Sequence, residues 1–106
     1  MADINNEELK RKTKKVYSKI ASSLDPKGHV GAKLFEEDII TTQQKKEIID
    51  CPDKESRAEK LLSHLFKTAH PRAFEVFRES LKKDYNSWIV DLVDGTGIYI
   101  YIYIFH

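Results

Sequence analysis

The chain has a single cysteine, Cys51, among 106 residues, so no intramolecular disulfide can staple it. No apolar run approaches the roughly 20 residues that a membrane-spanning helix needs. No secretory signal precedes the first predicted helix; with a lone thiol, a reducing, cytoplasmic setting is the expectation. The four histidines, His29, His64, His70 and His106, lack paired metal-ligand spacing. Gly95-x-Gly97 lacks the strand, lysine and following helix of a phosphate-binding loop. Cys51 precedes a proline, with no sequence hint of a histidine partner or oxyanion hole. No enzyme, metal or cofactor is therefore expected.

An excess of either charge is also missing. Lys and Arg number 18 against 17 Asp and Glu, a balance that says little about partners. The distribution says more. From Leu9 to Lys33 eight basic residues face one acidic residue, a balance of +7, whereas Leu34 to Glu59 holds four basic and eight acidic, −4. Segregated charge of this kind suits steered head-to-tail association.

What the chain has in quantity is helical periodicity. Leu9, Val16, Tyr17, Ile20 and Leu24 predict a first amphipathic helix over about Asn6 to Leu24, its outer face basic. Asp25-Pro26 offers an N-cap and first-turn proline for a second helix carrying Val30, Leu34 and Phe35. Gly28 and Gly31 weaken that helix by about 1 kcal/mol each relative to alanine. Thr41 and Gln44 form a capping-box pattern opening a third helix that buries Ile48 and Ile49, and Cys51-Pro52 stops it. A fourth, about Lys54 to Thr68, places Ala58, Leu61, Leu62, Leu65, Phe66 and Ala69 on one stripe. Pro71 opens a fifth with Phe74, Phe77 and Leu81; Asn86 caps a sixth with Trp88, Ile89, Leu92 and Val93.

Six short helices with short turns predict an all-α, antiparallel bundle of one domain over residues 6–94, after a short N-terminal extension at 1–5. Beyond Gly95 the pattern changes: Ile98 to Phe105 alternates isoleucine with aromatics and carries no charge. That period belongs to a strand, and a lone strand beside a bundle has no ladder to join. Residues 95–106 thus read as a tail outside the domain, or as a self-association segment.

Leu-Phe-Glu-Glu-Asp-Ile-Ile-Thr from Leu34, Ala-x-x-Leu-Leu-x-x-Leu-Phe from Ala58, Pro-Arg-Ala-Phe-x-x-Phe-x-x-x-Leu from Pro71 and Trp-Ile-x-x-Leu from Trp88 follow one another in order. That series, behind a basic first helix, resembles the caspase recruitment domain (CARD) of the death-fold superfamily. It is closest in flavour to initiator-caspase prodomains and their adaptors. Where many relatives have Gly-Pro before the fifth helix, this chain has His70-Pro71. It also lacks the Gln-Ala-Cys-x-Gly site of caspase proteases, so any relation is through the recruitment domain alone.

The resemblance implies a six-helix, Greek-key-like bundle that catalyses nothing and pairs with another CARD, that of an initiator caspase or its adaptor. It also allows self-association into oligomers or filaments. It implies a basic patch on the first and fourth helices, here Lys10, Arg11, Lys14, Lys15, Arg57 and Lys60. The acidic counterpart on the second and third is Glu36, Glu37, Asp38, Glu47 and Asp50. One basic and one acidic face on the same molecule make a heterologous contact that propagates when it does not close. Any single charge can equally be a solvated face, since exposed ion pairs contribute roughly 0–1 kcal/mol each. The alternative from another class is a helical nucleic-acid-binding domain using the stripe from Lys10 to Lys19 on phosphates. Against it, the stripe has no interleaved aromatics and no turn to set a recognition helix.

Overall fold

The computed structural model describes residues 6–26, 28–82 and 89–90. They form six helices: α1 (Asn6–Lys15), α2 (Tyr17–Ser23), α3 (His29–Glu36), α4 (Thr42–Ile49), α5 (Lys54–Lys67) and α6 (Ala73–Lys82). No strand occurs among the described residues. α1 and α3 pack on α6, α2 and α4 pack on α5, and α3 touches α4. Most chain neighbours are therefore not packing partners, which distinguishes this bundle from a simple up-and-down meander.

The predicted first helix is two helices. Thr13 is buried on the core side, and its hydroxyl donates to the Leu9 carbonyl at 2.7 Å. Such back-bonding bends helices. One turn later the Val16 N–H bonds the Thr13 carbonyl, three residues back, and Val16 sits at φ −114°, ψ 21°, outside the helix. The break turns the chain so that Leu9 and Ile20 enter one core from different directions.

The second predicted helix begins late. Gly28 N–H bonds the Asp25 carbonyl in a turn, and α3 starts at His29 with Gly28 as N-cap. Pro26 is buried beneath the helix, and a Cβ at Gly31 would collide with its carbonyl oxygen. Gly31 is thus required by close backbone approach and is not a defect in α3. The helix ends in a Schellman motif: Asp38 N–H bonds Phe35 O at 3.1 Å and Ile39 N–H bonds Leu34 O at 2.9 Å. Asp38 takes the left-handed position, φ 63°, that glycine usually fills. Ile39 and Leu34, both buried, supply the accompanying hydrophobic contact.

The capping box forms as expected: Gln44 N–H donates to Thr41 Oγ1 and Thr41 N–H to Gln44 Oε1. Asp53 caps α5 through the Ser56 N–H at 2.7 Å, and this bond holds its carboxyl below the ordinary range. Asn6, at the start of α1, accepts from the Phe74 N–H at 2.7 Å, so α1 caps the incoming end of α6. That helix starts at Ala73, two residues after Pro71, with the intervening turn closed by Ala73 N–H on His70 O.

The core joins Leu9, Ile20, Leu24, Val30, Leu34, Ile48, Leu61, Leu62, Leu65, Phe74, Phe77, Leu81 and Ile89. Ile39, Ile40 and Val76 join it as well. Several residues expected inside are not. Ile49 is 47% exposed and Phe35 36%: each stands about 100° around its helix from a buried neighbour, Ile48 and Leu34, and turns toward solvent. Ala69 lies beyond the end of α5 and is exposed. Of the predicted sixth helix only Ile89 and Val90 are described, helical and buried. Trp88, Leu92, Val93 and the tail from Gly95 lie outside the described residues.

Candidate functional site

α1 buries Leu9 and Thr13, so the rest of its surface carries its charge. Arg11, Lys14 and Lys15 are exposed and Lys10 is half-buried. Lys12, between them, reaches Glu8 at 3.8 Å. No ion pair joins Lys10, Arg11, Lys14 or Lys15 to a carboxylate among the described residues. Lys14 and Lys15 also lie in the last turn of α1, where the helix dipole favours cations.

Lys10, Arg11 and Lys14 wall a cleft of about 610 Å³ together with Glu7, Tyr17 and Phe66. Tyr17 and Phe66 meet at 5.8 Å between ring centroids, and Phe66 meets Phe74 edge-on at 4.9 Å. Burial, reinforced by the Glu59 carboxylate, raises the Tyr17 hydroxyl above its ordinary range, so it stays protonated at neutral pH. Sequence spacing hid this cleft. Tyr17 and Phe66 read as core stripe positions, and only the tertiary packing of α2 on α5 brings them beside the basic residues.

Of the basic residues on α5, Arg57 belongs to its other flank. Nine positions separate Arg57 from Phe66, which at about 100° per residue puts them on opposite sides of the helix. Arg57 Nη1 donates to the Cys51 carbonyl at 3.0 Å, while its buried Nε has no hydrogen-bond partner. Seven positions on, His64 shares that flank and meets Glu47 of α4 at 3.1 Å. Lys60 is exposed. Neither Arg57 nor Lys60 lines the cleft that holds Lys10, Arg11 and Lys14.

Of the five candidate acidic-face residues, Glu36, Glu37 and Glu47 have partners within the fold. Lys33 lies between Glu36 and Glu37, at 3.1 and 3.2 Å, and its ammonium pKa is raised by those two hydrogen bonds. Counting by segment assigned Lys33 to the basic stretch; in space it offsets the acidic end of α3. Glu47 holds His64 and accepts from Gln43 Nε2 at 3.5 Å. Asp38 and Asp50 are exposed and make no ion pair among the described residues. Lys45 sits over the Phe35 ring at 4.6 Å, covering part of the exposed aromatic.

Other reactive groups are structurally engaged. Cys51 Sγ–H donates to the Glu47 carbonyl at 3.3 Å, and His70 Nδ1 accepts from the Arg72 N–H at 3.1 Å. Among the described residues no cluster of His, Cys, Asp and Glu could hold a metal ion. No described helix is long and apolar enough to cross a membrane.

Comparison with known proteins adds one match: the family model described as "Caspase recruitment domain" covers residues 6–96. No curated protein and no solved structure matches the chain.

Proposed function

Because the chain belongs to the caspase recruitment domain family, a family of homotypic interaction modules in death-domain signalling, we propose that it works by docking α1 cations onto the acidic α3–α4 region of a partner CARD. The partner would be an initiator caspase or its adaptor, met in the cytoplasm, and the chain an adaptor or a CARD-only regulator. Lys10, Arg11, Lys14 and Lys15, with Arg57 and Lys60, form the basic set; Glu36, Glu37, Asp38, Glu47 and Asp50 form the acidic set.

The observation that carries this reading is the inequality of the charges. The four α1 cations and the Asp38 and Asp50 carboxylates have no counter-ions among the described residues, whereas Glu36, Glu37 and Glu47 are engaged. Unpaired clusters contribute most to encounter rate and to rejection of like-charged partners. Lys14, Lys15, Asp38 and Asp50 are therefore assigned the leading roles. Two copies could join by the same contact, and repetition of it would build open oligomers.

The test is charge reversal. Lys14→Glu with Lys15→Glu should abolish capture of a partner CARD, and a reciprocal reversal on the partner's acidic residues should restore it. Capture that survives the double reversal removes α1 from the interface.

A further inference from the structure

We propose that the cleft between α1 and α5 binds a nucleoside polyphosphate, its ring on the Tyr17–Phe66 floor and its phosphates on Lys10, Arg11 and Lys14. Three cations and two aromatic rings face one concavity of about 610 Å³. Pockets for small ligands run from roughly 300 to 1,000 Å³. Lys10 and Lys14 stand one helical turn apart with like charge and no counter-ion among the described residues, an arrangement that a bound polyanion relieves.

The two halves of the cleft ask for different chemistry. An inorganic anion would satisfy the lysines and leave the rings wet; an uncharged aromatic would cover the rings and leave three cations facing it. A flat ring joined to a polyphosphate meets both needs. Tyr17 adds a second ring beside Phe66 to the lining. Among the lining residues the opposing group is Glu7, whose carboxylate suits a sugar hydroxyl or exocyclic amine and disfavours a second strand of phosphates; the Glu59 carboxylate, which acts on Tyr17, adds to that preference.

The inference also extends the proposed docking reading, because Lys14 would serve both ligands and bound nucleotide would then compete with a partner CARD. The binding claim itself stands without that reading. Lys15 separates the two: it is exposed on α1 but does not line the cleft.

The test is calorimetric titration of the full chain with ATP at low salt, in parallel with tripolyphosphate and adenosine. ATP should bind saturably and at least about tenfold tighter than either fragment. Lys14→Gln should weaken ATP roughly three- to tenfold, Phe66→Leu should weaken ATP but not tripolyphosphate, and Lys15→Gln should change nothing beyond about twofold. Thermal melts of each variant confirm folding before titration. Equal affinity for ATP and tripolyphosphate overturns the proposal, as does an equal loss from Lys14→Gln and Lys15→Gln, or no heat with ATP. A single-stranded oligonucleotide that binds more than about tenfold tighter than ATP would assign the cleft to nucleic acid instead. Loss of partner capture in Lys15→Glu with ATP affinity retained would leave both readings standing. Nucleotide affinity destroyed while capture persists at Lys14→Gln would refute only their overlap.

Discussion

Substituting Gly31 by alanine sets two effects of opposite sign against each other. Helix propensity favours alanine by about 1 kcal/mol in a helix interior, and Gly31 is the third residue of α3. Against it, the new Cβ would meet the Pro26 carbonyl oxygen well inside van der Waals contact. That oxygen is backbone, and Pro26 is buried, so it cannot swing aside as a side-chain end would. Overpacking of this type typically costs ~1–3 kcal/mol, and a rigid obstacle argues for the upper half. The net expectation is a loss of about 1–2 kcal/mol. For a domain of this size each kcal/mol lowers Tm by about 4–8 °C. Circular dichroism melts and urea titrations of the wild type and Gly31→Ala measure it, with the exposed Ala32→Gly reporting propensity alone at about 1 kcal/mol. A Gly31→Ala protein with equal or higher Tm would refute the close approach of α3 to Pro26.

Two further substitutions test the helix ends. Asp53 has a lowered pKa because its carboxylate accepts the Ser56 N–H, so its contribution is present above the ordinary carboxyl value of 3.8 and fades as pH falls through the lower folded value. Asp53→Ala should therefore lower Tm at pH 6 and 7, with the gap to wild type closing in acid; a gap that persists at the most acid pH would exclude the carboxylate as its cause. Asp38→Gly should raise stability by about 0.5–1 kcal/mol in urea melts, since it removes the left-handed strain, less the added freedom of glycine in the unfolded chain. An unchanged or lower stability would mean that the Asp38 side chain contributes more than its backbone costs.

Helix stripes and caps were readable because they repeat within a few residues. Leu61, Leu62 and Leu65 are buried where the period puts them, and Thr41 caps where its side chain reaches an N–H three residues on. The break at Val16 was not readable. The apolar period runs on through Val16, Tyr17 and Ile20; the bend follows from the buried Thr13 hydroxyl, and burial is a tertiary fact. Gly31 was misread for the same reason. A glycine in a helix looks like a propensity loss until the chain that passes beneath it, at Pro26, is in place.

The charges were the least legible part, and α5 shows why. A core position is held to one angle by everything it packs on, whereas a surface residue is constrained only by its helix. Arg57 and Lys60 were grouped with α1 by the family resemblance, yet Arg57 lies on the flank where His64 meets Glu47. The same reasoning ranks the acids. Glu36, Glu37 and Glu47 would each have to exchange an existing contact for a partner's cation, so much of any gain cancels. Asp38 gives up no ion pair, and it occupies a backbone position that costs stability in anything but glycine or a short polar residue. An exposed carboxylate at a strained turn, with no ion pair to give up, is the one that the proposed docking would use at least cost. In the proposed docking Asp38, more than the glutamates beside it, is the carboxylate expected to meet the next molecule.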